Sequence, residues 1–326
     1  MIEKIPFIIA EMSGNHNQSL ERALAIVDAA ADAGVDAVKI QTYTADTMTI
    51  DIDTGEFFIS DKDSLWKGET LYHLYDKAHT PWEWHKAIFE RCKERGIMGF
   101  STPFDDTSVD FLEDLGVPCY KIASFENVDL PLIRKVARTG KPIIASTGMT
   151  TVAELSDLVQ TVRKNGCTDL TLLKCTSSYP ASPEETNLRT IPHLRELFGC
   201  AVGLSDHTLG IGAAVASVAL GAVVIEKHFT LSRVEGGVDA AFSLEPVEMA
   251  QLVRECRTAA LALGAVSYER AEQEQKSLQF RRSLYVVEDM KAGDVFTEKN
   301  LRRIRPGMGL SPKYYDIILG KKVNRD

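Results

Sequence analysis

Eight repeats of a short apolar run followed by an amphipathic helix predict an α/β fold, a (β/α)8 TIM barrel followed by a small C-terminal unit. Length agrees: 326 residues exceed one average domain and suit one large barrel with an appendage. The ends of the apolar runs carry a third signal. They close on polar residues, which is where a parallel α/β fold gathers its chemistry.

Phe7–Glu11 is the first run, and Ser19 is placed to cap a helix over Leu20–Ala33, whose apolar residues follow helical spacing. Ala37–Gln41 is the second strand, with Lys39 and Gln41 two apart and so on one face. From Thr42 to His79 the alternation breaks. This acidic and aromatic segment, helical over Leu71–Ala78, is far longer than a routine βα loop and reads as a lid, a substrate wall or a subunit contact. Regularity returns with a helix over Pro81–Arg95 and strand Gly99–Pro103, then Asp106–Leu115 and Cys119–Ser124. Leu130–Arg138 leads to Pro142–Thr147, and Val152–Lys164 to Leu170–Thr176. Ile191–Phe198 precedes Ala201–Asp206; a helix within Leu209–Ala222 precedes Val223–Phe229; Pro246–Leu263 closes the barrel. The predicted domains are residues 1–268, a charged, glutamine-rich linker over 269–280, and a small unit over 281–326 with short strands at Ser283–Val287 and Ala292–Thr297.

Composition bounds the function. Hydrophobic residues make up 44%, ordinary for a soluble globular protein, and no apolar run approaches membrane-spanning length. The net charge of −9 argues against nucleic acid and against an anionic membrane surface, so any anion must be met by lysines placed locally. Six scattered cysteines without a C-x-x-C pair, and no signal peptide before Phe7, indicate reduced thiols in a cytoplasm.

The stretch Gly203–Thr230 organises the chemistry. It is a strand–helix–strand unit whose right-handed crossover brings His207 and His228 to the same carboxyl edge of the sheet. Two imidazoles on neighbouring strand ends can hold one divalent metal with positions left open for substrate; each can instead be a strand-end residue bonded to a carbonyl. The other strand ends supply Glu11, Lys39, Gln41, Ser101, Thr102, Lys121, Ser124, Ser146 and Thr147, and those of strands six to eight with their loops supply Thr176, Ser177, Tyr179, Glu226 and Asp239. Two lysines beside several hydroxyls suit a phosphate or carboxylate, and a metal beside a carboxylate suits Lewis-acid and general-base work. No nucleophile elbow, Walker loop or dinucleotide fingerprint is present.

The motifs FIIAEMSGNHN, KIQTY, FSTPFD, YKIAS, STGM, KCTSSYP, GLSDHT, EKHFT and RPGMGL resemble, along nearly the whole chain, the sialic acid synthase family, which condenses phosphoenolpyruvate with an N-acyl amino sugar. EMSGNHN, KCTSSYPA and LWKGETLYHLYDKAHTPWEWH resemble the branch that takes a 2,4-diacetamido-trideoxy-altropyranose. The resemblance implies a divalent metal on His207 and His228, Mn2+ first, with Mg2+ and Co2+ as alternatives. It implies phosphoenolpyruvate at Lys39, Thr102, Lys121, Ser124 and Ser146. Glu11, Gln41 and His228 are the implied catalytic residues, and Tyr179 and Asp239 the implied sugar contacts. Ser177 stands where the sialic acid enzymes commonly have asparagine, which fits a different sugar. The tail from Arg281 resembles the antifreeze-like (SAF) domain, implying a homodimer in which Arg305 reaches the partner's sugar, and that domain normally runs beyond Asp326. Three rival readings stand beside this one: an N-acetylneuraminic or legionaminic acid synthase, a non-catalytic sugar-binding protein, and a barrel aldolase with a Schiff-base lysine.

Overall fold

A computed structural model describes residues 5–61 and 64–325. They divide into two compact units, Met1–Gly264 and Ala265–Asp326. In the first, eight parallel strands close into a barrel in chain order: β1 (Phe7–Glu11), β2 (Ala37–Thr42), β3 (Met98–Pro103), β4 (Tyr120–Ile122), β5 (Ile143–Ser146), β6 (Leu170–Cys175), β7 (Ala201–Asp206) and β8 (Val224–His228). β8 pairs with β1, Glu11 opposite His228. Among the described residues the barrel is as expected, with β4 trimmed to three residues.

Alternation along each strand sorts side chains into two cores. Ile8, Ala10, Val38 and Ile40 point outward and pack with Ala23, Ile26 and Val27 of helix Leu20–Asp32, all essentially excluded from solvent. Ser19 caps that helix, its side chain accepting from the Arg22 N–H. The inward residues form a separate apolar layer of Ile9, Ala37, Phe100, Cys119, Ile144, Leu173 and Val224. β7 contributes Gly203 at the register of Val224. A Cβ there would lie 2.2 Å from the Val224 carbonyl oxygen and 2.6 Å from Leu173, so only glycine lets the strands meet.

One outward pair is ionic. Lys227 donates to Asp206 at 2.7 Å and to the Thr208 carbonyl, with both charged side chains wholly buried. It ties β7 to β8 at the register where Asp206 faces Lys227, directly before each histidine. All six cysteines are buried and unpaired.

The insertion over 43–79 includes short helices at Ala45–Met48 and Leu71–Ala78, the second capped by Thr70. In the second unit β9 (Ser283–Val286) pairs antiparallel with β10 (Leu301–Ile304). The expected strand over Ala292–Thr297 is not formed. Gly293 adopts a left-handed φ of 96° and the Asp294 side chain accepts from Lys291 N, which makes a turn, with Val295 in an isolated bridge to Lys322. The expected linker over 269–280 contains two helical turns, Glu272–Gln275 and Lys276–Phe280. Among the described residues no helix is long and apolar enough to cross a membrane.

Asp206→Ala leaves the Lys227 ammonium buried without its counter-charge. It is expected to destabilise the barrel by about 3–5 kcal/mol, read from urea unfolding at pH 7. A loss below about 1 kcal/mol would show that the pair is dispensable.

Candidate active site

Two residues beyond the apolar layer, each strand turns a second set of side chains inward. Ile9 is followed by Glu11, Ala37 by Lys39, Phe100 by Thr102, Cys119 by Lys121, Ile144 by Ser146, Leu173 by Cys175 and Val224 by Glu226. The result is a buried polar floor on an apolar plug. Lys39 Nζ lies 2.9 Å from Glu11 Oε1, 3.4 Å from Glu226 Oε1 and 3.4 Å from Thr102 Oγ1. Lys121 Nζ donates to Ser146 Oγ at 2.6 Å and to the Ile122 carbonyl at 2.9 Å, and sits 3.8 Å from Glu226. Gln41 Nε2 donates to Glu11 Oε1 at 3.1 Å. Ser205 donates to Glu226, whose other oxygen is buried without a hydrogen-bond partner.

Burial and charge compete at each group. Burial opposes ionisation of Glu11, but Lys39 and His228 outweigh it and hold the carboxyl well below the usual range. Burial likewise opposes the charge on Lys39, where Glu11 and Glu226 prevail and raise its pKa; at Lys121 burial prevails and lowers it. The two lysines therefore differ: one is locked in an ion pair, the other is less firmly protonated.

His207 and His228 stand above this floor with ring centroids 5.4 Å apart. His207 Nδ1 donates to the Thr176 carbonyl at 2.9 Å, which leaves Nε2 with its lone pair. His228 Nδ1 is buried without a hydrogen-bond partner, 3.8 Å from Asp239, while its Nε2 is 3.5 Å from Glu11. Burial lowers the pKa of His228; at His207 burial is outweighed by Cys175 and the Thr176 carbonyl, and the pKa rises. The Cys175 thiol, pushed up by burial, is brought down to about 7 by His207, Ser124 and Lys121. Among the described residues no group of three or more His, Cys, Asp or Glu is assembled for a metal. Two imidazoles, one with an orphaned nitrogen, flanked by carboxylates nonetheless fit a borderline divalent cation with open positions.

Tyr179 covers the pair, 4.5 Å from the His207 ring and 6.4 Å from His228. Asp239 accepts from Ser13 at the rim. Floor and rim enclose one side of a cavity of about 390 Å3; the insertion encloses the other with Met48, Ile59, Trp66, Leu71 and Leu74. The described part of the insertion thus walls the cavity.

Glu11, Lys39, Gln41, Lys121, Ser124, Ser146, Tyr179, His207, His228 and Asp239 all line this cavity. Thr102 is buried with its hydroxyl accepting from Lys39, and Ser177 lies beside Cys175, 3.9 Å from its sulfur; neither is a lining residue. Arg305 belongs to the second unit and is exposed there. Sequence reasoning placed Glu226 among the polar strand ends without a specific role, and it passed over Ser205 and Cys175. The two-residue period could have found Ser205, which precedes His207 by two on the inward face. Glu126 was also missed. It sits in the turn after β4, where no periodic signal operates, and lines the cavity with one oxygen buried and unpartnered.

Residues 26–268 match the NeuB family and residues 281–326 the SAF domain. The chain is 45% identical over 324 residues to a pseudaminic acid synthase of Campylobacter jejuni, covering 99% of this chain and 94% of that protein. With a pseudaminic acid synthase of Helicobacter pylori the identity is 43%, covering 98% and 94%. The crystal structure of an N-acetylneuraminic acid (sialic acid) synthetase from Leptospira borgpetersenii, in complex with citrate, superposes with a TM-score of 0.74 at 33% identity, covering 85% of this chain and 91% of that one.

Burial raises the Glu126 carboxyl to about 7. A carboxyl raised on folding binds more protons folded than unfolded, so its stabilising share is complete at low pH and is lost as pH rises from about 4.5 through 7. Glu126→Gln removes that loss. The variant should gain stability relative to wild type between pH 5 and pH 8, by on the order of 3 kcal/mol at most, in denaturant titrations at both values. A difference independent of pH would contradict the shift.

Proposed function

The chain belongs to the NeuB family, and from that premise we propose that it is a pseudaminic acid synthase. It condenses phosphoenolpyruvate with 2,4-diacetamido-2,4,6-trideoxy-altropyranose and water, giving pseudaminic acid and phosphate. The observation that carries this reading is the meeting of two buried lysines, two buried carboxylates and two imidazoles in one cavity. Sugar binding alone needs no such set, and an acidic protein needs local cations to take a phosphorylated carboxylate.

Lys39, Lys121, Ser124 and Ser146 bind the phosphate and carboxylate of phosphoenolpyruvate, with Thr102 supporting Lys39. Tyr179 and Asp239 orient the open-chain sugar so that its aldehyde carbon faces C3 of phosphoenolpyruvate, and Ser177 belongs to the loop on the sugar side. His207 and His228 would hold a divalent metal, Mn2+ in our reading, with Mg2+ or Co2+ as alternatives, and such a metal supplies Lewis-acid polarisation of a carbonyl oxygen. The C3–aldehyde bond forms as the enol double bond is spent, leaving C2 electron-poor. Water adds at C2, and Glu11, held in place by Gln41, accepts its proton. The proton taken from water passes to the former aldehyde oxygen, which becomes a hydroxyl. The bond between C2 and the ester oxygen then breaks and phosphate departs with the electron pair. The C2 hydroxyl gives its proton to the departing phosphate as the ketone forms. The reaction as written needs no lysine Schiff base, and Lys39 is held in an ion pair with Glu11. The buried, unpaired cysteines agree with a cytoplasmic location.

The reaction is tested by incubating the protein with phosphoenolpyruvate and competing sugars, with products identified by mass spectrometry. The diacetamido-trideoxy sugar should be consumed in preference to N-acetylmannosamine, a chelator should abolish turnover, and Mn2+ should restore it. Preference for N-acetylmannosamine would assign the chain to the sialic acid branch instead, and full activity after chelation would remove the metal.

We further propose a homodimer in which the SAF domain of one subunit closes the barrel of the other and Arg305 donates to the partner's sugar. Support comes from the small size of the second unit, which exposes Val286, Met308 and Ile317, and from the exposure of Arg305. Arg305→Ala and Glu11→Ala proteins should each be nearly inactive alone. After subunit exchange they should regain activity through the one hybrid site with both residues intact. No recovery in verified heterodimers would place the arginine in its own subunit's site or outside catalysis.

A further inference from the structure

The cavity is divided by chemistry as sharply as by position. Its floor carries charges; the described part of the 43–79 insertion lines the cavity mostly with apolar side chains. Leu71 and Leu74 lie three apart on helix Leu71–Ala78 and present one stripe to the cavity, with Ile59 and Met48 beside them. Trp66 completes the wall. Its Nε1–H is already committed to the Val238 carbonyl at 3.0 Å, so the indole offers a ring and no free donor. That bond also fixes where the ring stands: 6.1 Å from Tyr179, which itself lies 4.5 Å from His207. A continuous run of rings therefore joins the wall to the reacting centre.

We propose that Trp66, Ile59, Leu71, Leu74 and Met48 form the specificity wall for the terminal methyl of a 6-deoxy sugar. The assignment rests on the reaction proposed above. With the aldehyde carbon held at the histidines, the far end of a six-carbon sugar extends away from the floor toward this wall. A methyl there meets only carbon. A hydroxyl on the same carbon gives up water and finds the described wall side chains without a partner to offer. The polar groups the described insertion does bring to the cavity are the Tyr43 and Tyr75 hydroxyls and Ser64, whose Oγ already accepts from Trp66 N. An apolar site discriminates against an added hydroxyl by roughly 100-fold and not by the far larger factors of a hydrogen-bonding site.

The test uses two sugars that differ at one atom, 2,4-diacetamido-2,4,6-trideoxy-altropyranose and its 6-hydroxy counterpart, each with saturating phosphoenolpyruvate. Wild type should favour the 6-deoxy sugar in kcat/KM by about 10- to 100-fold. Leu71→Asn puts a hydrogen-bonding group on the stripe and should narrow that ratio at least tenfold. The change should appear as a higher KM for the deoxy sugar and a lower one for the hydroxy sugar, with the KM for phosphoenolpyruvate unmoved. Ile59→Ser is the second variant should Leu71→Asn not fold. A wild-type ratio near one, or a ratio preserved in the folded variant, overturns the wall assignment while leaving the reaction intact. Turnover of N-acetylmannosamine with neither diacetamido sugar accepted overturns the reaction itself, and the wall with it.

Discussion

The site depends on one constraint: charges placed deep in a barrel must neutralise one another before any ligand arrives. Lys39 lies between Glu11 and Glu226, and Lys121 shares Glu226 with it, all nearly excluded from water. Removing any one leaves a buried charge without its counterpart, which costs far more than the pair contributes in net stability. The cluster is thus held by mutual necessity, and its geometry is set before substrate binds. Preorganisation of this kind lets dipoles and charges act on a reaction without first rearranging.

That cluster can exist only because of what lies beneath it. The apolar plug from Ile9 to Val224 closes the bottom of the barrel and keeps water from reaching the lysines from below. Gly203 matters here, since a side chain at its place would push β7 away from β8 and spread the two histidines. The Asp206–Lys227 pair performs the complementary task on the outer face, fixing the register of the same two strands. Histidine placement is therefore governed from both sides of the sheet: by a missing side chain within and by an ion pair without.

The two-residue period of a strand made much of this legible beforehand. Lys39 and Gln41, read as sharing a face, do meet Glu11 from neighbouring positions of β2. His207 and His228 were placed on one edge by crossover handedness alone, and their rings lie in contact. Less legible were the parts without period. Glu126 sits in a turn, where spacing predicts nothing about direction. Ala292–Thr297 has strand-forming residues at its end, yet Gly293 and Asp294 close a turn within it, because local side-chain-to-backbone bonding overrides propensity.

By itself the sequence determined the order of eight strands and helices, the polar character of the strand ends, and which residue types could meet at the carboxyl edge. Each of these follows from local spacing, since periodicity is a property of neighbours along the chain. Tertiary structure alone decided which groups pair. Glu226 became the carboxylate shared by two lysines, and Thr102 lay back as a support for Lys39. Trp66 became a wall of the cavity through a hydrogen bond to a carbonyl 172 residues away. Pairing depends on distance across the barrel, and that distance is set by closure of the sheet, which no local pattern encodes.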